Sequence, residues 1–144
     1  MLEEVDWLLD NPYIASLADV SVAVVALLVC LFLFEIVTRY NCWDEIRKGN
    51  LAVAMATGGK IFGICNIFRF SIEANETVYQ SMIWAGFGFG ILMAGYFLFE
   101  FLTPVFRIDD EIQKDNRAVG LIAMLISVSL SYIIGATVLT SGMQ

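Results

Sequence analysis

The sequence predicts an all-α membrane protein whose four transmembrane helices form two tandem parallel-repeat hairpins. Three observations lead there. The chain of 144 residues is 59% hydrophobic, with a mean hydropathy of +0.77, far above what a soluble domain of this size carries. Its apolar residues fall in four blocks, each close to the ~20 residues a spanning helix needs. The charged stretch between the first two blocks is then written again, in nearly the same order, between the last two.

The opening segment, residues 1–16, holds Glu3, Glu4, Asp6 and Asp10 without a Lys or Arg, the opposite of a signal peptide's basic start. Leu2, Val5, Trp7, Leu8 and Leu9 are spaced for a short amphipathic turn on the membrane surface, with a fraying acidic tail as the alternative. The four spans are read at 17–38, 51–72, 82–102 and 118–140, and strand-like alternation is absent within them. Residues 17–72 then make the first hairpin, 73–81 an extracytoplasmic loop, and 82–144 the second hairpin.

Basic residues orient the spans. Arg39, Arg47 and Lys48 lie in the first junction and Arg107, Lys114 and Arg117 in the second, while Arg69 lies at the other face. The positive-inside rule puts both junctions in the cytoplasm and both termini outside the cell, in the inner (plasma) membrane. The net charge of −7 carries no weight in this, because acidic residues orient spans little.

The repeat is ordered. Phe34-Glu35 and Thr38 recur 65 positions on, as Phe99-Glu100 and Thr103. After one inserted residue the offset is 66. Asp44-Glu45-Ile46, Lys48, Asn50 and Ala52-Val53 then recur as Asp110-Glu111-Ile112, Lys114, Asn116 and Ala118-Val119. A two-span unit returns the chain to its starting side, so the copies are parallel, with a pseudo-two-fold axis along the membrane normal. Each junction is expected to supply half of one polar cluster.

Glu35 and Glu100 lie within about two turns of the cytoplasmic boundary, and Thr38 and Thr103 follow at i+3 on the same face. Asn50 and Asn116 open the second and fourth spans, where Asn caps a helix or bonds across the bundle. Asp44 and Asp110 are expected to cap short turns, and Trp43 and Arg47 to anchor at the interface. By position alone, snorkelling glutamates and plain caps weigh as much as an ion site. Lys60 is less ordinary. It falls ~15 Å into the second span, near the midplane, and its counterpart is Ile126. Glu35, Glu100 or the serines of the fourth span are its expected partners. A functional or water-lined position is preferred over a lipid-facing one.

Small residues at four-residue steps mark close helix contacts: Ala52, Ala56, Gly59 and Gly63; Gly86, Gly90 and Ala94; Ala123, Ser127, Ser131 and Gly135. Packing within the bundle comes first, and a homo-oligomer is the second use. Three cysteines without CxxC spacing argue against a disulfide or zinc framework. There is no histidine, which removes the commonest general base and metal ligand. No motif implies a cofactor or nucleic acid.

The pattern resembles the domain-of-unknown-function 350 family of small four-helix inner-membrane proteins. The resemblance spans residues 20–140. It rests on Glu35, Thr38, Asp44, Glu45, Gly49, Asn50 and Ala52, and in the second copy on Glu100, Thr103, Pro104, Asp110, Glu111, Asn116 and Ala118. Asp115 stands where the first copy has Gly49, which makes that half less flexible. The resemblance implies a bacterial-type inner membrane and a link to envelope stress, and no settled activity.

Two functions follow from the residues. One is an ion channel or small ion carrier, for a cation or proton, that uses Glu35, Glu100, Thr38, Thr103, Asn50, Asn116 and Lys60. The other is a scaffold that docks a cytoplasmic, stress-related protein partner through Asp44, Glu45, Arg47, Lys48, Asp110, Glu111 and Lys114. An enzyme is not expected, since only an unsupported Ser–Lys pair or carboxylate chemistry would remain.

Overall fold

The computed structural model describes residues 10–75, 77–103 and 107–142, and every regular element among them is an α-helix. Four helices have the length and apolar character to cross a membrane: α1 (Pro12–Val37), α3 (Leu51–Ala74), α4 (Val78–Leu102) and α6 (Arg117–Gly142). Two short ones, α2 (Cys42–Arg47) and α5 (Ile108–Gln113), occupy the two junctions.

Local chemistry sets the ends. Asn11 caps α1 by accepting from the Tyr13 N–H, and Pro12 fills the first helical position, where its missing N–H loses nothing. The helix therefore starts earlier than the apolar block at 17. Residues 1–9, with the expected surface turn at Leu2 to Leu9, lie outside the described residues. At its other end Thr38 turns extended and donates its hydroxyl back to the Phe34 carbonyl. Asn50 caps α3 through the Val53 N–H, and Thr77 caps α4 through the Gln80 N–H. The connection from α3 to α4 is thus tighter than the 73–81 expected.

The bundle is built around α3: 56% of its most apolar 18-residue stretch is buried, against 11% for that of α1. Its most extensive contact is with α6. Lipid supplies no hydrophobic drive between helices, so close backbone approach must hold them. A methyl added at Gly120 would lie 2.7 Å from Ala52 Cα, and one at Gly59 only 2.6 Å from Met124 Cα. Ala52 and Gly59 of the set expected on α3 meet α6 there, through Gly120 and Met124, and Gly63 lies against Ser127 and Ser131 of the set expected on α6. On α4 the expected set needs correction. Gly86 and Gly90 face open space, whereas Gly88 packs on Ile67 and Ile134, and Gly95 on Leu130. The helix has small residues on more than one face, and packing uses the other one.

Two apolar clusters result. One, around Phe34, Ile64, Ile67, Phe89 and Leu92, fills the middle of the bundle. The other, around Tyr40, Cys42, Val53, Ile108 and Ile112, seats the short helices against the ends of α3 and α6. The buried polar groups of the junction end lie where these two clusters adjoin. The helix α1 stands apart, leaving an apolar groove of ≈480 Å³ lined by Val22, Val25, Val29, Phe68, Met82 and Gly86.

Candidate functional site: a buried polar cluster at the junction end

The two junctions share their hydrogen bonds. Glu45 accepts from Lys48 at 2.8 Å and from the Asn50 amide at 3.3 Å. Glu111 accepts from Lys114 at 3.2 Å and from Asn116 at 2.9 Å. These donors hold both carboxyls below the usual range: Lys48 and then Asn50 for Glu45, Asn116 and then Lys114 for Glu111. Asn50 and Asn116 also cap α3 and α6 through the N–H groups of Val53 and Val119, as expected.

Asp44 and Asp110 are not caps, contrary to expectation. Asn41 caps α2 by accepting from the Asp44 N–H, and α5 has no side-chain cap. The aspartates sit within the first turn, where a negative charge suits the positive helix end. Of the seven docking candidates, Glu45, Lys48, Glu111 and Lys114 are thus engaged within their own loops. Asp44 and Arg47 remain exposed, and Asp110 is half-buried.

Each short helix ends on a residue in the left-handed region, Gly49 at φ +90° and Asp115 at φ +60°. Asp tolerates this conformation better than most side chains. Here it also reaches across the bundle. The Asp115 carboxylate accepts from the Ala52 N–H at 2.9 Å, while the Asn50 amide donates to the Ile112 and Gln113 carbonyls at 3.2 and 2.9 Å. The first hairpin caps the second's short helix, and the second caps the first's long helix. The Ala52 N–H is the largest cause holding the Asp115 carboxyl low.

Lys60 is only 4% exposed. A helical side chain leans towards the helix N-terminus, so its ammonium reaches back to the junction and not to the midplane expected from its Cα. Nor does it meet the partners expected from sequence. It donates to Thr38 Oγ1 at 3.2 Å and lies over the rings of Phe34 and Tyr96, 5.1 and 4.6 Å from their centroids. Among the described residues it forms no ion pair. Desolvated ring faces contribute about 2 kcal/mol and the hydroxyl about 1.5–3 kcal/mol. A buried charge costs about that much or more, so the surroundings only just hold the ammonium.

Sequence reasoning missed the residues beside it. Asp109, 3% exposed, accepts from the Tyr96 hydroxyl on one oxygen and from the Arg39 N–H at 3.3 Å on the other. Neither Asp109 nor Tyr96 has a repeat counterpart, since Trp43 and Leu31 stand at the matching positions. The available signal was the doublet Asp109-Asp110, of which only the second member recurs.

Three buried polar atoms here have no hydrogen-bond partner among the described residues: the Tyr40 hydroxyl, the Thr57 hydroxyl and Glu100 Oε2. Glu100 stands within electrostatic reach of Asp109, Arg39 and Asp110, and Thr57 lies beside Cys42. Burial, with Asp109 adding, pushes the Tyr40 phenol up, and burial raises the Cys42 thiol against the pull of Lys60. Glu35 is half-buried and does not join Glu100 in a hydrogen bond. Among the described residues Thr103 donates to the Phe99 and Glu100 carbonyls alone. The arrangement is therefore lopsided. Lys60, Thr38, Tyr96, Asp109 and Glu100 gather, while Glu35 and Thr103 stay outside.

Further along α3 the Asn66 amide donates to Ser131 of α6 at 3.1 Å, and Ser71 is fully buried. Thr57, Lys60, Asn66 and Ser71 are thus the buried polar side chains of α3, with Lys60 turned to α1 and α4 and Asn66 to α6. Among the described residues no three His, Cys, Asp or Glu side chains converge as metal ligands. The cluster holds proton donors and acceptors of graded strength in a site with little solvent.

A sequence profile described as Domain of Unknown Function (DUF350) matches residues 7–138. The chain is 53% identical over 127 residues to UPF0719 transmembrane protein YshE of Bacillus subtilis (strain 168), covering 88% of this chain and 95% of that protein. No solved structure matches.

Proposed function

The chain belongs to the Domain of Unknown Function 350 family, as a multi-pass membrane protein with four apolar helices, and from that premise we propose that it moves a small cation or proton across the membrane. The observation that carries this is the unpartnered, buried Glu100 Oε2 beside Asp109. A carboxylate inside a membrane bundle is costly and marks ion pathways or proton relays. Buried polar side chains also recur at successive levels of α3, at Thr57, Lys60, Asn66 and Ser71.

In this proposal the junctions face the cytoplasm and both termini lie outside, in the plasma membrane. The two hairpins arose by duplication and are related by a pseudo-two-fold axis. Matching loop hydrogen bonds 66 positions apart support that origin. Working residues come mainly from one side: Glu100 as the ion-facing carboxylate, Asp109 as fixed charge, Lys60 held by Thr38. Glu35, Asn50, Asn116 and Thr103 shape the ends of the spans. The test is flux of protons, Na⁺ and K⁺ into liposomes carrying the purified protein. Flux should fall at least tenfold in Glu35→Gln/Glu100→Gln, and unchanged flux in that variant would end the proposal.

A docking role for the junctions is favoured by one feature, the exposure of Trp43, Asp44 and Arg47 together on α2. A stress-related cytoplasmic protein would then bind there. Charge swaps belong at Asp44 and Arg47, since swaps at Glu45 or Glu111 would undo the loops themselves. Capture of such a partner that survives the swaps would rule this surface out. A homo-oligomer would cover the open face of Gly86 and Gly90 and the groove beside α1.

A further inference from the structure

We infer that the species moved is the proton, and that Lys60, linked by buried water to Glu100, is the group that takes it up and releases it. This rests on the transport proposal and narrows it.

Charge excludes the other occupants. A metal cation entering the cluster meets the Lys60 ammonium, which already sits there. An anion meets Asp109 and Glu100. Water and its exchangeable proton suit both signs. The orphaned atoms ask for such a guest, because two buried hydroxyls, on Tyr40 and Thr57, and one carboxylate oxygen lack partners. Buried polar groups are nearly always satisfied by protein or by ordered water. Water can accept from the hydroxyls and donate to Glu100 Oε2, which a cation or an anion alone cannot do.

The anchoring of Lys60 suits a group that changes charge. Its partners are a hydroxyl and two ring faces, so losing the proton breaks no ion pair. Thr38 commits its own proton to the Phe34 carbonyl at 2.7 Å, which turns a lone pair towards Lys60. An ammonium and a neutral amine both donate to that lone pair, so the side chain keeps its place in either state. Lysine readily gives up a proton when desolvated, whereas arginine does not.

The carboxylates divide the work. Asp109 has both oxygens engaged, by Tyr96 and by the Arg39 N–H, and remains the fixed negative charge. Glu100 keeps Oε2 free. In the step, one Nζ–H bond of the ammonium breaks and its electron pair stays on nitrogen. Water relays the proton, and an O–H bond forms on Glu100 Oε2. The carboxyl then releases the proton to water at the junction. The amine then recovers a proton from the far side of the membrane; the next buried polar group of α3 in that direction, Asn66, lies ~9 Å further on and is turned to α6.

The titratable or charged groups facing Lys60 are Cys42 from α2, with Glu35 of α1 behind it, Tyr96 and Glu100 from α4, and Asp109 from α5, with Tyr40 of the junction beside Cys42, Glu100 and Asp109. At this level α6 presents Met124 and Ser127.

The full-length protein, labelled with ¹⁵N-lysine and reconstituted in liposomes, tests this by NMR, with Lys60→Met to assign the resonance. Across the pH range in which the protein stays folded, Lys60 Nζ should convert between ammonium and amine, and Glu100→Gln should shift that midpoint. Lys60→Arg keeps the positive charge but cannot release its proton, so proton flux should fall at least tenfold. A Lys60 that stays ammonium across the whole range overturns the inference, as does wild-type proton flux in a folded Lys60→Arg. Should the arginine not fit, the Glu100→Gln shift alone decides, and its absence counts against. Wild-type Na⁺ or K⁺ flux without proton flux leaves transport standing and sinks this inference. A wild type silent for every ion sinks both.

Discussion

At Asp115 one side chain does the work of a cap for a helix of the other hairpin, in a backbone conformation that most residues resist. Asp115→Ala should lower the melting temperature in mild detergent, because it removes the cap and leaves a methyl at positive φ. Asp115→Asn should stay nearest to wild type. The carboxyl is held below its ordinary value of 3.8. Its contribution is therefore complete above that value and is lost as pH falls through the lower, folded-state value. Melting temperature should drop below pH ~4 in wild type, and by less in Asp115→Asn. Tyr96→Phe takes the hydroxyl from Asp109 and leaves a buried acceptor underused, costing about 1–3 kcal/mol in reversible unfolding. Lys60→Met should be neutral or stabilising by about 1–4 kcal/mol, since a weakly held buried charge gives way to an apolar chain of similar length. A large loss on Lys60→Met would place Lys60 in the framework. Sequence alone marked Lys60 as unusual but misjudged its depth, because hydropathy locates Cα and not the end of a long side chain. Asp109 and Tyr96 escaped notice for lack of a repeat counterpart.

Adjacent glycines on α3 separate packing from propensity. Gly58 faces open space, whereas a methyl at Gly59 meets the backbone of Met124. Gly59→Ala should cost about 1–3 kcal/mol through forced helix separation. Gly58→Ala should be neutral or stabilise by up to about 1 kcal/mol. Equal effects would contradict the close α3–α6 contact. The four spans themselves were legible, because apolar runs of that length have few other uses. Their ends were less so. Hydropathy does not register the Asn11 and Pro12 start of α1, or the Thr77 cap that tightens the turn before α4. Spacing of small residues showed that α4 has a close-packing capacity, but not that Gly88 turns inward while Gly86 and Gly90 turn out.

Over the whole molecule, α3 and α6 form a tight pair, α4 packs along it, and α1 joins mainly through Phe34 at the junction end. That asymmetry bears on function. Two junctions alike in sequence end in different roles, because the first supplies Thr38 to Lys60 and the second supplies Asp109 to Tyr96. Repetition in the sequence suggested a symmetric pair of glutamates. The unrepeated residues Lys60, Tyr96 and Asp109 instead gather on one side and draw in Glu100. The measurement that tests this most directly is proton uptake into liposomes by wild type, Glu35→Gln and Glu100→Gln, each at matched protein content. Glu100→Gln should lose at least tenfold of the flux, while Glu35→Gln keeps most of it. Equal losses in the two variants, or full flux in Glu100→Gln, would contradict the account.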